Sequence, residues 1–228
     1  MDKKFIGRAI FLRHGQTDYT DVFPDLNKDG VETIQKSAEE IKLAIGSSVR
    51  IRMVSSPLPR AMGTASIIAK AIGYLDPIRE APALRAAVVR DKPRAMAVFN
   101  EHMAQGGPTE LAWSYEEDPR YKDASMIEPV SEIQKRFYKY LSGLVWEMLC
   151  FDVAWTYIHV SHYEVLYDFV HSIFRINRNN GQPLSYGEIV DIRFFEIGGT
   201  EKIKLNITFR GKTAQGMILN CETAMLQL

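Results

Sequence analysis

Three strand-like runs, residues 7–12, 49–54 and 154–160, are each followed by a stretch whose apolar residues recur at spacings of three and four. That alternation of an apolar run with a helical period is the sequence form of successive βα units. After the first run, Val31, Ile34, Ala38, Ile41 and Ile45 share one face and predict a helix over 30–44. After the second, Ala61, Ala65, Ile68 and Ile72 predict a helix over 60–72, with Ser55-Ser56-Pro57 to cap it, Pro59 near its first turn and Gly73 at its end. After the third, Val165, Leu166, Phe169, Val170, Ile173 and Phe174 predict a buried helix. A further helix starts at Pro129 and presents Ile133, Phe137, Leu141, Leu144 and Met148 on one side. The tail changes character: 189–197, 202–209 and 215–220 read as strands joined by Gly198-Gly199 and Arg210-Gly211 turns. The expected architecture is an α/β domain with a mostly parallel central sheet, extended or edged by the late strands.

The three runs also end alike. The first stops at Arg13-His14-Gly15, the second at Ser55-Ser56 with Arg60 in the next helical turn, the third at Ser161-His162. In an open parallel sheet the carboxyl ends of the strands share one edge, and ligands bind in the crevice there. Two arginines and two histidines are thereby expected in one pocket. Each guanidinium offers a forked donor pair to a phosphate or carboxylate, and the helix opening at Arg60 adds a positive dipole end. The chain as a whole carries 28 basic and 28 acidic residues, so no global field draws it to nucleic acid or to an anionic membrane. The anion site is local.

The segments that converge resemble a known family. Leu12-Arg13-His14-Gly15-Gln16-Thr17, Ser55-Ser56-Pro57-Leu58-Pro59-Arg60-Ala61 with Thr64-Ala65, Ile78-Arg79-Glu80 and His159-Val160-Ser161-His162 match, in order and spacing, the motifs of the histidine phosphatase superfamily. The resemblance runs over nearly the whole chain. It implies a phosphoglycerate mutase-like, three-layer α/β/α fold, and a phosphatase that hydrolyses phosphomonoesters through a phosphohistidine on His14. Arg13, Arg60 and His162 are then the phosphate clamp, His162 also belongs to the catalytic set, and Glu80 is the acid that protonates the leaving oxygen and activates water. Thr20 stands where relatives often carry a phosphate-contacting Asn. The stretch after Glu80, Ala81-Pro82-Ala83-Leu84-Arg85, departs from the Gly-rich, Trp-containing pattern common in the family, which leaves Glu101 and Glu110 as alternative acids. A cofactor-dependent phosphoglycerate mutase and a non-catalytic phosphate- or phosphoprotein-binding member are the other readings. No metal or cofactor is implied, because the arginines and histidines neutralise the phosphate.

The remaining features are plainer. One domain over 1–228 is expected, with a cap-like insertion at about 81–130 that holds a helix over 93–105 and the aromatic residues Trp113 and Tyr115. His159 and His162, three apart on a strand, fall on opposite faces and do not form a metal pair. Lys135, Arg136 and Lys139 read as the polar face of a helix. Met1-Asp2-Lys3-Lys4 leads straight into the first strand without a signal-peptide core, and the apolar region 141–160 is broken by Glu147 and Asp152, so a cytoplasmic protein with no membrane span is expected. Cys150 and Cys221 are too few for a disulfide framework. The expected partner is a small phosphorylated metabolite or a phosphoprotein substrate, with no nucleic acid. The oligomeric state is open, a dimer included.

Overall fold

The computed structural model describes residues 3–18, 25–46, 50–105, 119–151, 153–176, 183–197 and 202–227. One eight-stranded sheet forms the centre, with strand order β3-β2-β4-β1-β5-β6-β7-β8. The strands are β1 (Lys3–Arg13), β2 (Arg50–Ser55), β3 (Arg79–Glu80), β4 (Trp155–Ser161), β5 (Ile189–Ile197), β6 (Lys202–Phe209), β7 (Lys212–Asn220) and β8 (Met225–Gln227). The helices are α1 (Lys28–Ile45), α2 (Pro59–Ile72), α3 (Lys92–Ala104), α4 (Val130–Leu149) and α5 (Tyr163–Phe174). Among the described residues no helix is long and apolar enough to cross a membrane.

Side chains alternate across the sheet with the period of two that strands impose. Ile10 and Leu12 of β1 and Ile158 and Val160 of β4 pack under α1 and α2. Their neighbours Ala9, Phe11 and Tyr157 pack on the other face under α4 and α5, with Phe137, Leu141, Val165 and Phe169. This is the expected three-layer α/β arrangement. The sheet itself is mixed. β3, β2, β4 and β1 pair in parallel, whereas β1–β5, β5–β6, β6–β7 and β7–β8 pair antiparallel. The parallel character expected of most of the sheet is confined to the half built from helical crossovers, and the late strands extend it antiparallel. The other half is a meander, because a short turn can return a strand only antiparallel to its neighbour. At the β6–β7 turn, Arg210 (φ 48°) and Gly211 (φ 71°) are both left-handed, as a two-residue hairpin turn demands.

Between β3 and α4 the chain makes a short 3-10 turn (Pro82–Leu84) and then α3. α3 packs Ala95 and Val98 on Met126 and Ile127 in a small core of its own. The two ends of this segment are tied together where Glu128 N–H donates to Val88 O (2.8 Å) and Arg90 N–H to Met126 O (2.9 Å). Trp113, Tyr115 and Glu110 lie outside the described residues.

Arg136 departs from the sequence expectation. It is not a solvated charge on the polar face of α4. Its guanidinium donates to the carbonyls of Ala83, Arg85 and Ala86 and pairs with Glu128 (2.9 Å), whose carboxylate is almost fully buried and also accepts from Val88 N–H. One side chain therefore holds the stretch that follows Glu80. Periodicity could not show this, because the partners are carbonyl oxygens about fifty residues away.

Candidate active site

β1 and β4 run parallel in a register that sets Arg13 opposite Ser161, and β4 and β2 in one that sets Ser55 opposite Val160. The strand ends are laced by backbone bonds, His14 N–H to Ser161 O (3.0 Å) and Ser56 N–H to Val160 O (2.9 Å). His14, Ser56 and His162 are consequently delivered to one edge, each in the first residue past its strand. α2 and α5 both begin there, and their N-termini add positive ends to the same place.

His14 is buried and its ring is fixed at both nitrogens. Nδ1 lies 2.7 Å from Gly15 O, and a carbonyl only accepts, so Nδ1 carries the proton. Nε2 lies 3.1 Å from Arg60 Nε, and a guanidinium only donates, so Nε2 presents its lone pair. Burial, followed by the charges of Arg60 and Arg13, pushes the His14 pKa well below its ordinary value. The imidazole is neutral, in a single tautomer, with Nε2 directed at the guanidinium.

The loop that holds His14 is set by close packing. Gly15 N–H donates to Thr64 Oγ1 (3.0 Å), whose hydroxyl donates to Arg60 O (2.8 Å). A Cβ at Gly15 would meet Gly30 O and Ile34 Cγ1 at 2.8 Å, so only glycine lets α1 approach this closely.

The residues expected to clamp phosphate have distinct settings. Arg13 is 2% exposed, donates through Nη1 to Leu184 O (2.7 Å), and lies 3.6 Å from the ring centroid of Tyr186 and 5.0 Å from that of Tyr163. Cation–π contact and a carbonyl thus stabilise a buried guanidinium that has its Nε without a partner among the described residues. His162 is fully buried, its ring 4.9 Å from that of His14, with Nε2 2.8 Å from Ser56 Oγ. Burial first, then the charges around it, hold its pKa well below the ordinary histidine value. Its Nδ1 has no partner among the described residues.

Ser55 and Ser56, expected as helix caps, do other work. α2 is capped at Leu58 without a side-chain bond, and Ser56 Oγ serves His162 and Leu58 N–H instead. Glu80 closes β3 opposite Ser55, at the same sheet edge, with an exposed side chain. Glu101 is held by Arg120 (2.8 Å) on the α3 segment. Thr20, like Glu110, lies outside the described residues. His159 stays in the core, stacked on Phe11 at 4.2 Å, and burial lowers its pKa to about 3. The motifs contain Ser56 and Thr64 but gave neither its role here, Ser56 as the partner of His162 and Thr64 as a donor relay; Tyr163 and Tyr186 were not marked and carry no signal beyond being aromatic.

Three buried neutral histidines tie stability to pH. In the unfolded chain each titrates near 6.5, whereas in the folded protein His14, His159 and His162 stay neutral to lower pH. Below about pH 6.5 the unfolded state therefore binds more protons, and each histidine removes up to about 1.4 kcal/mol of stability per pH unit until its folded pKa is reached. Urea midpoints are expected to fall steadily from pH 7.5 to 5, and His159→Leu to flatten the slope. A midpoint independent of pH in this window would show that these rings protonate within the fold.

A family model for the histidine phosphatase superfamily (branch 1) matches residues 9–200. No curated protein sequence matches the chain significantly. Among solved structures, the fold recurs in a mycobacterial hydrolase (TM-score 0.63, 19% identity, 94% of this chain and 93% of that one). It recurs in the mycobacterial glucosyl-3-phosphoglycerate phosphatase in complex with inorganic phosphate (TM-score 0.60, 19% identity, 90% and 97%). It recurs too in the Entamoeba histolytica phosphoserine phosphatase in complex with 3-phosphoglyceric acid (TM-score 0.52, 17% identity, 82% and 90%). The matched span begins within β1 and covers most of the chain, so the chain belongs to the histidine phosphatase superfamily, branch 1.

Proposed function

We propose that this protein is a phosphomonoesterase that works through a phosphohistidine on His14. The observation that carries the reading is the ring geometry: Nδ1 donates to Gly15 O while Nε2 keeps its lone pair toward Arg60. A nucleophilic imidazole needs both conditions. The arriving phosphate takes Arg60 away from Nε2 and onto its oxygens, where Arg13 and His162 join it. Nε2 attacks phosphorus in line; the P–N bond forms as the P–O ester bond breaks. Glu80, exposed at the edge of the sheet, gives its proton to the departing oxygen. Water then attacks the phosphohistidine, Glu80 takes its proton, and inorganic phosphate leaves with the lone pair restored. Cations that spread the charge of the dianion stabilise the transition state at both steps. The substrate class is a small phosphorylated metabolite, in keeping with the phosphoglycerate and phosphoserine chemistry of the structural relatives. Cys150, exposed, and Cys221, buried, form no disulfide, which suits a reducing cytoplasm.

Glu80→Gln tests the acid. It is expected to lower kcat about 10²- to 10³-fold on an alkyl phosphate, and less on p-nitrophenyl phosphate, whose leaving group departs without a proton. Equal losses on both substrates would remove Glu80 from the acid role and turn attention to Glu101 or Glu110.

A further inference from the structure

At the opposite end of the same strands lies a second cationic concavity. A cavity of about 470 Å³ is lined by Phe5, Arg8, Arg50, Val153, Trp155 and Arg193. Arg8 lies directly opposite Arg193 in the antiparallel β1–β5 pair. Like charges at such a position destabilise a sheet. Asp191 relieves only one of them, since both its oxygens accept from Arg8 (2.8 and 3.0 Å), and Arg8 further donates to Ala44 O (2.8 Å). Arg50 and Arg193 are exposed, and neither has a carboxylate partner among the described residues. Three guanidinium groups thus face one cavity with one carboxylate already engaged, in a chain whose net charge is zero.

The register aligns Arg193 and Arg8 in one row on one face of the sheet. Arg193 pairs with Arg8 and Arg8 with Thr156, whereas Arg50 pairs with Trp155, one residue along, so it starts on the other face and meets the same cavity at the strand ends. Strands stand about 4.8 Å apart, so Arg193 and Arg50 arise roughly 14 Å apart, on two sides of that cavity. The irregularity between Phe5 and Gly7 adds an apolar wall. It shifts the pairing so that Phe5 sits opposite Phe195, two residues along β5 from Arg193 and on the same face. Phe5 remains 43% exposed and Val153 44% exposed.

We propose that this cavity binds a small phosphorylated organic molecule at a site separate from His14. Arg50 and Arg193 supply forked donors to the phosphate, and Phe5 and Val153 contact the organic part. Arg8 and Arg193 begin five residues or more from the catalytic edge along β1 and its partner, about 17 Å at strand rise, so the two sites do not overlap.

Phenylphosphonate, whose C–P bond a phosphomonoesterase does not cleave, is the probe. Calorimetric titration of the full chain is expected to give two equivalents bound, and the R50Q/R193Q variant one, with its turnover of p-nitrophenyl phosphate unchanged. Ligand-free R193Q is expected to melt about 1–3 °C higher than the wild type, because a repulsive cross-strand pair is gone. A single equivalent on the wild type overturns the proposal. So does retention of both equivalents by R50Q/R193Q, or a lower ligand-free melting point for R193Q.

Discussion

His14→Ala is expected to lower phosphatase turnover by at least about 10⁴-fold, the scale on which enzymes lose rate when the nucleophile of a covalent mechanism is removed. Arg13, Arg60 and His162 would still bind the phosphate, so the loss should fall on kcat rather than on KM. The wild type, quenched during turnover of a radiolabelled substrate, should retain label that is stable to alkali and labile to acid, as a phosphoramidate is; the variant should retain none. The pH profile adds a second check. Because burial and two neighbouring guanidinium groups hold the free-enzyme His14 neutral well below its usual range, kcat/KM should show no acid limb near pH 6.5 that belongs to the nucleophile. Substantial turnover by His14→Ala would end the phosphohistidine mechanism. Phosphate binding by a wild type that turns over no ester would instead point to a binding member of the family.

Arg136→Met carries the largest expected effect on stability. Glu128 is almost fully buried and would be left with no cation beside it, while the carbonyls of Ala83, Arg85 and Ala86 would lose their donor. Breaking one side of a buried pair costs about 3–5 kcal/mol. Removing both sides costs less, since no lone charge is stranded; Glu128→Leu with Arg136→Met should therefore recover part of the loss. Urea unfolding of the two single variants and the double variant measures the coupling. If Arg136→Met lay within about 1 kcal/mol of the wild type, the pair would be solvated in solution and the stretch after Glu80 would be held by other contacts.

The elements legible in the sequence were those whose signal is local. The helix expected over 60–72 is α2 at Pro59–Ile72, ending at a left-handed Gly73, and the strand expected over 189–197 is β5 at Ile189–Ile197. In each, the apolar period or the turn chemistry lies within a dozen residues. The pairing direction of the late strands was less legible, because neighbouring strands of either sense show similar apolar patterns. β8 is three residues long, too short for any period to register. The convergence of His14, Arg60 and His162 was readable because each follows the end of a strand-like run, and parallel strands bring their ends to one edge.

Past that point tertiary structure decided. The tautomer of His14 depends on the Gly15 carbonyl and on an Arg60 nitrogen forty-six residues away. Ser56 serves His162 rather than its own helix, Arg13 is placed between Tyr163 and Tyr186, and Arg136 is held against carbonyls that no pattern distinguishes. Likewise Arg8 and Arg193 face one another only because β1 and β5 pair antiparallel in one register. The sequence by itself determined which residues stand at strand ends, because period and punctuation are properties of neighbours along the chain. Which atoms then touch depends on register, on rotamer and on the path of loops, and those follow from packing between segments far apart in sequence.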